Sequence, residues 1–182
     1  MGVNLFVEGN PAPVVIRVRL PREVTNFKEL NEVTSALKVV DDSLQKMWSE
    51  VWPNYSRRRH RDVQLLRFEV GSPPFFEVLA DPAWLAVFFV ILTGYKDARD
   101  SAQALASDVN WVYHGVEGLT DRQMQFLIIA VRLTLGRIAE KGAEESERIA
   151  KRFRRASDKL LGKGTKPPHI EVIDVENKKR PW

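Results

Sequence analysis

The sequence predicts an α+β protein, and three observations predict it. Residues 14–20 and 63–70 alternate apolar with polar side chains, the period of a half-covered strand. Between them Leu30, Val33, Leu37, Val40, Leu44, Met47 and Val51 recur at spacings of three and four, the stripe of a long helix. Beyond Gly71-Ser72-Pro73-Pro74 the chain turns helical as far as Pro167-Pro168. The expected architecture is a small, mostly antiparallel sheet covered by one long helix, followed by a helical hairpin and a long charged C-terminal helix. Three regions follow: residues 1–73 as sheet and covering helix, 74–166 as a helical section packed on it or on a partner subunit, and 167–182 as a final strand with a basic tail.

At the N-terminus, Val3 to Val7 is a short apolar run. The turn-forming residues Gly9-Asn10-Pro11-Ala12-Pro13 would let it pair with the next strand as a hairpin. The stretch has neither the basic start nor the cleavage site of a secretory signal, and Phe6 stands where a myristoylation motif wants Ser or Thr. In residues 14–20, Val14, Ile16, Val18 and Leu20 share one face and Arg17 and Arg19 the other. Asn26-Phe27-Lys28-Glu29 reads as a capping box that opens the long helix, and Pro53 ends it. In residues 63–70, Leu66, Phe68 and Val70 fall on one face and Leu65, Arg67 and Glu69 on the other.

Residues 83–95 carry no charge and are apolar on every side. Asp81 suits an N-cap, Pro82 the first helical position and Gly94 a C-cap, so a short helix is expected. At about 1.5 Å per residue it reaches roughly 20 Å, short of a hydrocarbon core near 30 Å. Extending it back to Phe75 would put Glu77 and Asp81 in lipid. Protein is therefore the expected cover, with a short membrane span as the alternative. A helix through Ala98, Ala102, Leu105, Val109, Val112 and Val116 follows and pairs with it as a hairpin. Thr120-Asp121-Arg122-Gln123 is a second capping box, opening a helix expected to run on to Leu161. Its segment 126–131 is also nearly apolar all round. Two such helices exceed what a small sheet needs, which points to a homo-oligomer. Trp84, Phe88, Phe89, Ile91, Phe126 and Ile129 are the candidate self-association or membrane-facing residues. Residues 169–175 read as a last strand returning to the sheet edge.

The chain of 182 residues has no cysteine, which excludes disulfides, thiolate zinc sites and thiol nucleophiles. Its net charge of +4 is mild. Arg57-Arg58-Arg59-His60-Arg61 is the sharpest basic cluster. Arg57, Arg58, Arg59 and Arg61 are the candidate binding residues for phosphate or an anionic surface, with nucleic acid or a membrane as the partner class. From Arg148 to Lys166 a second basic region is laced with Glu144, Glu145 and Glu147 at helical ion-pair spacing, and reads as a solvated helix. No phosphate-binding glycine loop, nucleophile elbow or zinc-protease motif is present. His60, His114 and His169 fall on different elements, and Asp97 and Asp100 read as solvated helix positions. No catalytic residue, metal ligand or cofactor is assigned.

At Leu66-Arg67-Phe68-Glu69-Val70-Gly71-Ser72-Pro73, followed by the apolar helix, the chain resembles a group of uncharacterised bacterial proteins. These place a small strand-helix-strand unit before a hydrophobic helix and a charged helical tail. The resemblance implies a prokaryotic protein of unassigned activity and transfers no site residue. The functional expectation is a non-enzymatic, self-assembling interaction or scaffold protein of the cytoplasm, with membrane association or nucleic-acid binding through residues 57–61 as alternatives.

Overall fold

The computed structural model describes residues 14–51, 64–80, 82–92, 115–162 and 168–173. The fold is α+β, with a five-stranded, mostly antiparallel sheet and four described helices. Strands β1 (Val14–Arg19), β2 (Gln64–Glu69), β3 (Phe75–Ala80), β4 (Val116–Glu117) and β5 (His169–Ile173) lie in the order β2-β3-β1-β5-β4. All neighbours are antiparallel except β4 and β5. Helices α1 (Phe27–Val51), α2 (Pro82–Leu92), α3 (Asp121–Glu140) and α4 (Ala143–Leu161) form the other layer. Strands β1 and β2, joined through α1, point the same way with β3 inserted between them, the split βαβ arrangement.

Alternation in β1 has the expected consequence. Ile16, Val18 and Leu20 are buried with Phe76, Val78 and Ala80 of β3 and Ile170 of β5, while Arg17 and Arg19 face away from the helices. Helix α1 starts as its sequence requires, with one refinement. The Glu29 N–H donates to Asn26 Oδ1 at 2.9 Å, but the Glu29 carboxylate accepts from the N–H of Thr25, at 2.7 Å, and from its hydroxyl. That backbone donor, with the Thr25 and Asn26 side chains, holds the Glu29 carboxyl below its ordinary range. The buried stripe of α1 runs through Val33, Ala36, Val40, Leu44 and Met47, while Leu30 and Leu37 are half-buried at its border.

Helix α2 begins at Pro82 and is the centre of the helical layer, in contact with α1, α3 and α4. This explains an apolar surface without a polar face: a helix surrounded on all sides has no solvent side to serve. Every side chain from Ala83 to Leu92 is buried. Phe88 stacks on Trp84 at 5.1 Å between ring centroids and meets the edge of Phe76 in the sheet at 6.2 Å. The Trp84 indole N–H donates to Asp41 Oδ1 on α1 at 2.8 Å, and the Ser157 hydroxyl on α4 donates to the Leu92 carbonyl, one of the orphan acceptors at the end of α2.

Four expectations are corrected. Residues 75–80, expected to be helical, form β3, whose Phe76 and Val78 take sheet positions opposite Val18 and Ile16. The helix expected to run from Thr120 to Leu161 breaks at Lys141-Gly142. There Lys141 is extended (φ −73°, ψ 142°), and the Ser146 hydroxyl bonds the carbonyls of Ile138 and Lys141 to fix the corner. Val116 belongs to a strand, because it pairs in parallel with Ile170. Strand β5 lies beside β1, inside the edge, with β4 outside it. The Thr120–Gln123 capping box is reciprocal as expected. The hairpin expected between residues 3–7 and β1 is a further correction, because β3 and β5 already hold both sides of β1; residues 3–7 themselves and the helix expected from Ala98 lie outside the described residues.

Candidate interaction edge

The surface away from the helices carries a row of charges across all five strands. Arg67, Glu77, Arg17, Glu171 and Glu117 are successive cross-strand neighbours on β2, β3, β1, β5 and β4. Arg17 is its hub. Its Nε and Nη2 donate to Glu77 Oε1 at 2.9 and 2.5 Å, and its Nη1 to Glu171 Oε1 at 3.1 Å. The Glu77 side chain is only 5% exposed, so this pair is largely withdrawn from water, and the Glu77 hydrogen bond is the main cause that raises the Arg17 pKa. Two residues along β3 on the same face, Phe75 gathers three guanidiniums: the Cζ atoms of Arg17, Arg19 and Arg67 stand 5.3, 5.6 and 5.3 Å from its ring centroid. At the far edge, His169 Nε2 is 3.3 Å from Glu117 Oε1.

Strand β2 ends the row, and among the described residues nothing pairs with its outer side. Its first four residues are exposed on both sheet faces. A bulge also interrupts the strand. Leu65 is opposite Val78, yet Arg67 is opposite Glu77, so Leu66 is an extra residue. The expected alternation is thereby broken: Leu65 and Phe68, opposite the buried Val78 and Phe76, share the helix-side face. The large apolar residues that stay exposed are Phe27, Leu65, Leu66, Val70 and Leu133 among the described residues. Three of these five, Leu65, Leu66 and Val70, lie in or next to β2. Leu65 is 53%, Leu66 48% and Val70 61% exposed, which makes one apolar margin rather than scattered single residues. Arg67 and Glu69 form an ion pair within the strand, both partly exposed.

The sequence-derived candidates lie elsewhere. Arg57, Arg58, Arg59 and Arg61, with His60, His114, Asp97 and Asp100, are outside the described residues. Trp84, Phe88, Phe89 and Ile91 are buried in the chain's own core, so their cover is intramolecular. Phe126 and Ile129 are half-buried on α3, whose Leu127, Ile128 and Val131 are buried. On α4, Arg148 pairs with Glu144 and Lys151 with Glu147, the ion-pair lacing expected of a solvated helix. Burial raises the Asp41 pKa, against the Trp84 hydrogen bond that lowers it. A hollow between α1 and α4, floored by Met47, Ile149 and Phe153, encloses about 40 Å³, room for a few waters and too small for a metabolite. Among the described residues no three His, Asp or Glu side chains converge as a metal site, and no helix is long and apolar enough to cross a membrane.

Strict alternation over residues 63–70 does not disclose the apolar margin on β2. Its signal was the Leu65-Leu66 pair, adjacent apolar residues that a strand with one wet face does not need. Comparison with protein-family models, curated proteins and solved structures finds no match for this chain.

Proposed function

We propose that the chain is a self-assembling interaction module whose edge strand β2 receives a second copy of itself. The observation that carries this reading is the concentration of exposed apolar side chains on an edge that no strand among the described residues pairs. Free backbone donors and acceptors on such an edge accept another strand, and natural edges that must stay single are guarded by charge, proline or cover. This one has a bulge and the mutually paired charges of Arg67 and Glu69 as its guard, and three leucine or valine side chains against them. The occupant is argued from charge. Arg67 and Glu69 give the strand one cation and one anion two residues apart, a pattern that complements its own antiparallel copy. Assembly through β2 also leaves the buried α2 undisturbed, since that helix is already covered.

Size-exclusion chromatography with light scattering tests the reading. The wild-type chain is expected to run at twice its monomer mass without detergent, and the double variant Leu65→Lys, Leu66→Lys to run as a monomer with unchanged helicity. A wild-type monomer at the highest soluble concentration, or a Lys variant that stays dimeric, overturns it.

A further inference from the structure

We infer that the two copies join antiparallel about a two-fold axis at Phe68, so that two five-stranded sheets continue as one; this rests on the self-assembly proposed above. The usable run of β2 is short and bounded. At one end the bulge throws Leu65 and what precedes it out of step with the rest of the strand, and at the other Gly71 is already paired with Val24 through both backbone hydrogen bonds. Pairing is therefore confined to residues 66–70.

Within that run symmetry leaves few choices. A two-fold axis perpendicular to a sheet makes directly opposed residues lie on the same face, so the axis must pass through a residue rather than between two. An axis at Arg67 sets Arg67 against its own copy, and Leu65 against Glu69. An axis at Glu69 opposes the two Glu69 carboxylates and sends Arg67 to Gly71, which is taken. At Phe68 the same axis places Arg67 opposite the partner's Glu69 and Leu66 opposite the partner's Val70, each twice. Two ion pairs and two apolar pairs result, and no like charges meet.

The row of charges across the sheet agrees with this register. From Glu171 through Arg17 and Glu77 to Arg67 the signs alternate, and the row stops on a cation at the open edge. A carboxylate from the next strand continues it. The ion pair of Arg67 with Glu69 inside one copy is no obstacle, because both groups are about half exposed and such a pair contributes little.

The absence of cysteine makes the register directly readable. Opposed residues in an antiparallel pair have Cα atoms about 4.5–5.5 Å apart, within disulfide reach, whereas four residues along a strand span about 13 Å. Under mild oxidation, Leu66→Cys mixed with Val70→Cys should give a crosslinked dimer, while neither variant alone crosslinks to itself. Arg67→Glu and Glu69→Arg should each weaken the dimer about tenfold. The double variant Arg67→Glu, Glu69→Arg should recover to within a few-fold of wild type. Self-crosslinking of either cysteine variant, or a double variant no better than the singles, overturns the register. In that event a dimeric mass leaves self-assembly standing, and a wild-type monomer removes both.

Discussion

Replacing Phe88 by Ala tests whether the apolar helix is core of the single chain or surface covered by a partner. Phe88 is fully buried, stacked on Trp84 with 12° between ring planes and set edge-on to Phe76 at 86°. Truncating a fully buried Phe costs about 3–5 kcal/mol, and losing two ring contacts places this site toward the upper end, about 4–5 kcal/mol. Against a total stability on the order of 5–15 kcal/mol that is a large fraction. For a chain of this size it lowers Tm by roughly 10–15 °C. Phe88→Leu keeps most of the volume and should cost only about 1–2 kcal/mol. Urea unfolding followed by far-UV circular dichroism measures both, with light scattering as control. A midpoint shift of the stated size at unchanged mass is the expected result. A loss below about 1 kcal/mol, or a variant whose mass falls while its unfolding midpoint stays, would refute an intramolecular core around α2.

Two further outcomes follow from other sites. Asp41 has its pKa raised from 3.8 by burial, so the folded state holds a proton that the unfolded state has lost; stability from this group is greatest below pH 4 and falls as pH rises toward the folded-state value. Asp41→Asn keeps an oxygen acceptor for Trp84, so the variant should gain on wild type as pH rises above the unfolded-state pKa in paired urea titrations; a relative loss with rising pH would contradict the burial argument. Gly118 sits at φ +85° with the Val172 carbonyl 2.9 Å from where a Cβ would stand, so Gly118→Ala should cost about 2 kcal/mol and loosen β4 from β5, seen as faster amide exchange at Ile170 and Val172. Unchanged exchange there would count against the close approach.

Much of the architecture is legible in the residues because the signals are local. The alternation of β1, the start of α2 at Pro82 and the Thr120–Gln123 box each depend on side chains within one or two turns. Strand β3 is not legible in that way. Phe75-Phe76-Glu77-Val78-Leu79-Ala80 runs into the apolar helix, and its one strongly polar side chain, Glu77, is buried only because Arg17 on another strand meets it. The corner at Lys141 depends likewise on Ser146 reaching back to two carbonyls. Of the candidate residues, the four apolar ones on α2, expected at a subunit interface or in a membrane, take their cover from the chain's own helices and sheet.

By itself the sequence determined the fold class, the strand and helix starts that caps and prolines mark, and the fact that residues 83–92 had to leave water, since no uncharged surface of that length is stable exposed. Which surface supplied the cover was a tertiary matter. Three helices and the sheet close over α2, so its apolar surplus is consumed within the chain. The apolar side chains that remain exposed at β2 are Leu65, Leu66 and Val70, and the bulge at Leu66 exists only relative to its partner β3, the next strand in the chain. The order of the strands, with β1 rather than β2 between β3 and β5, therefore decided which strand stands at the edge among the described residues.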